Sequence, residues 1–301
     1  MSEEVSIVKV AILQDEATNT YFDVYRVKGI TVHTLDIQVP REKTGTAEVH
    51  RALLNEGADL PLLSDCRNVL EAAIAAPPEC VVCRVRRTGW RSDDIYATSH
   101  TVIGGDAATL LPPRIANTGR VGVAGDLLGW QAAVAPAIHS TSMIVALSAI
   151  FAAPLLQPLN RPGFMLVLYG PSRSGKTTAQ LLAASALGYA RAEDLPSLNA
   201  TAAGLLDAAK GFTDMLMPIN EMGAARGAKK DVYAFMRSAT YAISGGRDTI
   251  RHSTWNAGTD QSVDTAFRTI GLLSSEYSPD EWAARAGEER DAGEMARLIG
   301  L

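Results

Sequence analysis

The segment from residue 164 to residue 178, FMLVLYGPSRSGKTT, constrains the fold of this chain more than any other stretch. Six apolar residues, typical of a buried parallel strand, precede a loop that fits G-x-x-x-x-G-K-[ST], and a helix is predicted over residues 179–187. Small residues let successive backbone N–H groups turn toward a phosphate, and the N-terminus of a helix favours the same anion. The segment predicts a nucleotide-binding loop formed by Gly170, Pro171, Ser172, Arg173, Ser174, Gly175, Lys176, Thr177 and Thr178.

Two side chains of this loop carry the expected chemistry. The ammonium of Lys176 is expected to reach the β- and γ-phosphates, and the hydroxyl of Thr177 is expected to ligate Mg²⁺. A chance match in a glycine-rich turn is the alternative. The apolar run before the loop and the helical pattern after it favour nucleotide binding.

A second apolar strand is predicted over residues 214–220, and it ends in Asn220-Glu221. Nucleotide hydrolases of this class end such a strand in Asp-Glu, where the Asp holds Mg²⁺ through water and the Glu polarises the attacking water. Glu221 is therefore the candidate catalytic base. Asn220 brings no charge, so Mg²⁺ should be held less tightly. An ordinary exit from strand to loop is the alternative interpretation.

A third strand, predicted over residues 268–273, is followed by Ser274-Ser275-Glu276, where this class places a polar sensor of the γ-phosphate. Residues 226–252 are locally basic, and a hairpin is predicted within residues 246–262. On an oligomeric ring such a hairpin would line a channel for a nucleic-acid backbone. Solvated helix ends and turns are the alternative. The candidate nucleic-acid contacts are Arg247, Arg251 and His252.

Composition limits the class of protein. The chain has 301 residues, 47% of them hydrophobic, and a net charge of -5, which predicts an ordered globular protein and argues against a wholly basic nucleic-acid coat. An apolar helix is predicted over residues 141–152. The most apolar stretch, residues 143–156, is too short to span a bilayer, and no secretory signal is recognisable at the N-terminus. Three cysteines suit a reducing compartment. We therefore expect a cytoplasmic protein without a membrane segment.

Two domains are predicted, an α+β domain over residues 1–120 and a P-loop NTPase domain with a parallel-sheet α/β core over residues 121–301. The boundary is placed in a segment rich in Pro and Gly between residues 110 and 129. Cys80 and Cys83 lie in a Val-rich strand pattern without further metal ligands, so we interpret them as small buried core residues. The arginines around Trp90 fit either phosphate contacts with a stacking aromatic or a solvated strand face.

Several segments, taken in order, resemble the domain of unknown function 927 family. The resemblance covers roughly residues 20 to 301, and its most specific parts are the apolar lead-in FAAPLL and the P-loop with the AASALG that follows. The segments that carry it are GW at 89–90, GDLLGW at 125–130, ALSAIFAAPLL at 146–156, GPSRSGKTT at 170–178, LLAASALG at 181–188, INEMG at 219–223, GGRDTIR at 245–251, LLSSE at 272–276 and AGEMARL at 292–298.

The resemblance implies an AAA+ module of the helicase type, related to superfamily 3 and MCM-like helicases of phages, plasmids and other mobile elements. It implies ATP hydrolysis coupled to DNA movement in a ring, expected to be a hexamer. Such helicases usually carry further modules, so a lid or DNA-binding module is expected to be missing after Leu301 or supplied elsewhere.

The resemblance also implies roles for single residues. Ser275 stands where the family has Gly in its Ser/Thr-Gly-Glu segment, and Ser275 is the sensor candidate. Arg247 and Arg251 match the family's Gly-Lys-x-Arg region, which implies a role either across the subunit interface or on DNA. Arg297 matches a recurrent arginine near the family's C-terminal end and is a candidate arginine finger or sensor. Asn220 departs from the family's Asp, which leaves open a second hypothesis, a nucleotide-binding switch or assembly module with slow hydrolysis. A small-molecule kinase is disfavoured because the chain has no recognisable acceptor pocket or basic lid.

Overall fold

The computed structural model describes residues 5–31, 33–43, 45–114, 121–196, 202–220, 229–246 and 266–301. The chain divides into two compact units, the first made of Met1–Arg86 with Thr101–Pro113 and the second of Arg87–His100 with Arg114–Leu301. The assignment of an accessory domain to residues 1–120 and of an NTPase domain to residues 121–301 stays a prediction.

Strands and helices come in blocks up to residue 163 and alternate from residue 164 onward. The strands are β1 (Ile7–Asp15), β2 (Thr20–Val27), β3 (Leu35–Pro40), β4 (Cys80–Arg84), β5 (Gly89–Ser92), β6 (Ile95–Ala97), β7 (Val102–Ile103), β8 (Leu110–Leu111), β9 (Phe164–Tyr169), β10 (Met215–Ile219), β11 (Thr269–Ser275) and β12 (Leu298–Gly300). The helices are α1 (Thr46–Asn55), α2 (Leu63–Ala75), α3 (Leu127–Val134), α4 (Thr141–Ala152), α5 (Lys176–Ala184), α6 (Ala202–Lys210), α7 (Lys229–Gly245), α8 (Pro279–Ala286) and α9 (Ala292–Met295).

The first unit is built on a five-stranded sheet in the order β3-β2-β1-β4-β8. The pairs of β1 with β2 and of β2 with β3 are antiparallel, whereas β4 runs parallel to both β1 and β8. Period-two alternation in this part of the sequence is typical of half-buried antiparallel strands. Helices α1 and α2 contribute Leu53 and Leu70 to a buried cluster with Tyr25 and Val39 from the sheet.

The second unit is built on a four-stranded sheet in the order β10-β11-β9-β12, and every pair in it is parallel. One face packs against α4 and α5, and the buried cluster there includes Ile150 and Ala183. The other face carries α6, α7 and α8, whose Leu205, Tyr233 and Ala283 join a second cluster. Burial on both faces explains why β9, β10 and β11 are almost continuously apolar. A mixed α/β fold with a parallel sheet is thereby confirmed.

Several predicted elements coincide with the observed ones because their local signals are strong. Strand β9 and helix α4 have the predicted limits, and α4 begins at the N-cap Ser140, whose hydroxyl accepts the N–H of Met143 at 3.5 Å. Helix α5 begins three residues earlier than predicted, directly at Lys176. The interpretation of the cysteine pair as buried core residues is wrong for Cys80, which is exposed, while Cys83 is half-buried.

No helix among the described residues is both long enough and apolar enough to cross a bilayer.

Candidate nucleotide-binding site

The loop between β9 and α5 makes a tight turn from strand to helix. Gly175, the residue before α5, has φ of +90°, a conformation that favours glycine because it has no Cβ. Arg173 also has a positive φ, +64°, which is uncommon for a residue with a side chain. These two left-handed positions turn the chain within the loop, so that the end of β9 leads directly into the first turn of the helix.

The first turn of α5 presents unused donors at the loop. The first helical hydrogen bond runs from the N–H of Ala179 to the carbonyl of Gly175, at 2.9 Å. The N–H groups of Lys176, Thr177 and Thr178 precede this bond, at the end of the helix where the macrodipole is positive. Residues 171–174 and both threonines are exposed. An anion can therefore reach these donors from solvent.

The ammonium of Lys176 is folded back onto the loop. It donates to the carbonyls of Gly170 and Pro171, each at 2.8 Å, and lies 3.5 Å from the hydroxyl of Ser174. A phosphate oxygen would be a stronger acceptor than either carbonyl because it is charged. The side chain is thus positioned at the loop that the sequence predicts it to serve.

The carboxyl ends of three parallel strands meet beside this loop. Ser275 pairs with Tyr169, and its carbonyl accepts the N–H of Gly170 at 3.3 Å. On the far side of β11, Ile219 pairs with Leu273, so Asn220 emerges at the same edge. The structure therefore brings the loop, the end of β11 and Asn220 to one edge of the sheet.

Asn220 is held by two hydrogen bonds at this edge. Its side-chain amide donates to the carbonyl of Ala192 at 3.0 Å, and its backbone N–H donates to the carbonyl of Pro196 at 2.7 Å. The amide nitrogen is thereby directed to a carbonyl, which a carboxylate in its place would repel. Glu221, the candidate base, lies outside the described residues.

The sensor candidate Ser275 is occupied within the fold. Its buried hydroxyl donates to the carbonyl of Tyr277 at 2.8 Å and accepts the indole N–H of Trp282 at 2.9 Å. The hydroxyl of its neighbour Ser274 is also buried and has no hydrogen-bond partner among the described residues. Ser274 lies two residues after Leu272, which packs in the cluster beside α5, so alternation directs it to the side of the P-loop helix.

Gln180 is a second polar residue that sequence reasoning missed. It is fully buried on α5, and its amide donates to the carbonyls of Ile219 and Leu272, each at 2.6 Å. One side chain thus ties α5 to the end of β10 and to the middle of β11. Its position four residues after Lys176, one helical turn later, is the only sequence signal that could have marked it.

Arg297 lies away from the loop within this chain. It directly precedes β12, and its carbonyl accepts the N–H of Met165 at 2.7 Å, near the amino end of β9. Its guanidinium donates to the carbonyl of Gly293 at 2.7 Å and lies 5.4 Å from the ring centre of Tyr241. The loop leaves the opposite, carboxyl end of β9. The structure therefore does not bring Arg297 and Lys176 together.

The last candidates are the nucleic-acid contacts and the Mg²⁺ site. Arg247, Arg251 and His252 lie outside the described residues, as does the predicted hairpin that carries them. Among the described residues no group of three or more His, Cys, Asp and Glu side chains is arranged to hold a metal ion. A Mg²⁺ site here would rest on the hydroxyl of Thr177, which is exposed at the start of α5.

Fold and loop together define an α/β protein with a glycine-containing loop between a parallel strand and a helix. The model of the DUF927 family, described as a domain of unknown function, matches residues 4–258. The chain belongs to this family. No curated protein matches the chain.

A solved structure shares the fold. That protein is described as "SCCmec type IV Cch - active helicase", and it superposes with a TM-score of 0.64 at 14% sequence identity. The similarity covers 99% of this chain and 54% of that chain, so the chain spans about half the length of the protein it resembles. At this identity the comparison shows a common fold.

Proposed function

We propose that this chain is an ATP-hydrolysing, helicase-like DNA translocase of a mobile element, built on an AAA+-like P-loop core. One observation carries the proposal: the loop with Lys176 lies at the same sheet edge as the ends of β10 and β11. Nucleotide hydrolysis needs a phosphate cradle beside groups that polarise water, and in this proposal the loop is the cradle and the residues after β10 and β11 supply those groups. The structurally similar protein is described as an active helicase, which is consistent with the proposed function.

The residues present fit a nucleotide with Mg²⁺. In this proposal the backbone N–H groups of Lys176, Thr177 and Thr178 and the ammonium of Lys176 bind phosphate oxygens, because donors and the positive helix dipole converge at the start of α5. The hydroxyl of Thr177 would ligate Mg²⁺, and the side chain of Asn220 would hold it through water. When bound, Mg²⁺ neutralises charge on the phosphates.

Glu221 is the proposed base that orients the attacking water, with Ser275 as the sensor candidate that the sequence indicates. Because the hydroxyl of Ser275 is engaged with Tyr277 and Trp282, its neighbour Ser274 is the better-placed hydroxyl for that task.

Arg297 lies at the amino-terminal edge of the sheet, opposite the nucleotide loop. It could act as an arginine finger only on the nucleotide of a neighbouring copy of the chain. We therefore keep a ring, expected to be hexameric, as part of the proposal. DNA contacts are assigned to Arg247, Arg251 and His252, and a cytoplasmic location fits DNA as the partner.

The test is ATP turnover with and without single-stranded DNA. The wild-type chain is expected to hydrolyse ATP faster with DNA, and Lys176→Ala is expected to lower turnover at least about a hundredfold, as loss of one preorganised charge donor does. Lys28→Ala removes the same charge from an exposed ion pair with Asp59 in the first unit, at 3.6 Å, and should leave turnover unchanged. Equal turnover with and without DNA would contradict the coupling to DNA.

A second function is favoured by the environment of Asn220, namely a nucleotide-binding switch with slow hydrolysis. An amide at this position weakens the hold on Mg²⁺. The same assay, with ATP binding measured beside it, decides between the two functions. Tight ATP binding with negligible turnover in the wild-type chain, and higher turnover in Asn220→Asp, supports the switch. Since the aspartate loses the hydrogen bond to Ala192, its stability is measured in parallel. Brisk wild-type turnover supports the translocase.

A further inference from the structure

A cavity of about 360 Å³ lies in the second unit, away from the P-loop. Its walls include the residues that precede three strands of the parallel sheet: Gly163 before β9, Asp214 before β10 and Arg268 before β11. The cavity therefore opens at the amino-terminal edge of the sheet. Since β9 spans six residues, about 20 Å of strand separates this edge from the nucleotide loop.

Three guanidinium groups line this cavity, those of Arg87, Arg161 and Arg268. Arg268 donates to the side-chain carbonyl of Asn160 at 3.2 Å, and Arg87 donates to the carbonyl of Ala266 at 2.5 Å. Arg161 is exposed, and its guanidinium has no hydrogen bond or ion pair to any residue that the structure describes. A guanidinium has five N–H donors, so Arg161 alone offers a ligand a full set of them.

Asp214 is the only carboxylate among the described residues that line the cavity. One of its oxygens accepts the N–H of Trp90 at 3.2 Å, and the other is buried with no partner in the described part of the chain. Burial raises the pKa of Asp214, against the opposing effects of the Trp90 hydrogen bond and of Arg268 and Arg87. Three arginines against one carboxylate leave the cavity positive even with Asp214 ionised.

The cavity lies where the predicted basic hairpin leaves the fold. Gly246 and Ala266, which border residues 247–265, both line it, and Phe267 donates its N–H to the carbonyl of Gly246 at 2.9 Å. The two ends of that segment are therefore held together at the wall of the cavity.

We propose that this arginine cavity binds backbone phosphates of single-stranded DNA. The inference rests on the proposed function, because that function supplies a polynucleotide as the ligand. Guanidinium groups match the geometry of phosphate oxygens and bind them in pairs of hydrogen bonds. A single free anion would use one or two such groups. Several arginines on the wall of one open cavity suit the repeated charges of a strand.

The test measures binding of a fluorescein-labelled oligodeoxythymidine to the full chain at a series of salt concentrations. Arg161→Glu is the diagnostic variant because this exposed side chain has no partner to lose among the described residues. It is expected to weaken binding about tenfold. It is also expected to lower the slope of log affinity against log salt by about 0.7, the value for one phosphate contact on a single strand. Arg67→Glu makes the same charge change beside Glu71 in the first unit and should leave both values unchanged.

The outcomes separate this inference from the proposed function. A wild-type chain that binds DNA while Arg161→Glu behaves like Arg67→Glu overturns the cavity alone and leaves the translocase proposal standing. A wild-type chain that binds no DNA overturns both. Loss of DNA affinity in Arg161→Glu with unchanged binding of a fluorescent ATP analogue supports the cavity, because it shows that the nucleotide loop at the other edge is intact.

Discussion

The backbone of Gly89 packs closely against Thr213 and Asp214, which are distant in sequence. Its φ is +91°, and a Cβ added there would lie 2.5 Å from a carboxylate oxygen of Asp214 and 2.8 Å from the carbonyl of Thr213. The next residue, Trp90, donates its indole N–H to the carbonyl of Pro154 at 2.7 Å and packs edge-on against Tyr96. The ring of Trp90 is therefore engaged within the second unit, and the interpretation as an open stacking surface is not supported.

We predict that Gly89→Ala lowers the free energy of unfolding by about 2–4 kcal/mol, combining left-handed strain with overpacking. Urea denaturation followed by tryptophan fluorescence measures the change. Gly125→Ala is the matched control, because Gly125 has a similar φ of +79° but nothing within 4 Å of the added Cβ. It should cost only the strain, about 1–2 kcal/mol. Equal losses in the two variants would show that the close approach to Asp214 contributes nothing.

At the scale of elements, a buried charge network joins α7, α9 and the approach to β12. Glu294 on α9 is fully buried and accepts the hydroxyl of Tyr233 on α7 at 2.8 Å and the guanidinium of Arg290 at 3.2 Å. Arg237 lies 3.6 Å from the same carboxylate. Burial and then the bond to Glu294 raise the pKa of Tyr233, so its hydroxyl stays a donor. Arg237, one of the residues that make 226–252 basic in sequence, is thus neutralised by its surroundings.

Glu294→Gln is expected to destabilise the second unit by about 3 kcal/mol, because it removes the buried charge partner of the nearly buried Arg290 guanidinium and leaves it paired only with the exposed carboxylate of Asp280. Thermal and urea denaturation measure the loss. Glu288→Gln serves as the control: its carboxylate lies 3.4 Å from Arg237 but is partly exposed, and such pairs contribute less than about 1 kcal/mol. A loss in Glu294→Gln no larger than in the control would mean that the network does not stabilise the unit.

At the scale of the whole molecule, the two units have separate hydrophobic clusters. Leu53 is fully buried in the first unit with Tyr25 and Leu70, whereas Leu216 and Leu272 lie in the cluster under α4 and α5 of the second. Separate clusters mean that a cavity cut into one unit removes contacts from that unit alone.

Leu53→Ala is expected to cost the first unit about 2–5 kcal/mol, the range for emptying a leucine site in a core. Hydrogen exchange should show lost protection in β1, β2 and β3 and retained protection in β9 and β11. Binding of an ATP analogue should persist. Leu62→Ala, at a side chain that is 75% exposed, is the control and should change neither region. Equal loss of protection in both units would contradict separate cores.

The sequence by itself determined the elements whose signals are local. The apolar run of β9, the capped helix α4 and the glycines that flank the loop before Lys176 are readable because each depends on neighbouring residues. The family was also recognisable from short motifs in order. The loop and the strand ends that follow it in sequence could therefore be predicted as a site before any packing was known.

Tertiary structure alone decided which polar groups face that site. Strand β11 reads TIGLLSS and is buried on both faces, so it has no polar alternation to tell the direction of Ser274 from that of Ser275. The role of Gln180 depends on carbonyls 39 and 92 residues away, and the docking of Trp90 depends on Asp214, 124 residues away. Contacts at such separations arise only when the sheet assembles. For the same reason the arginine cavity has no local signature: Arg87, Arg161 and Arg268 come together from three distant segments.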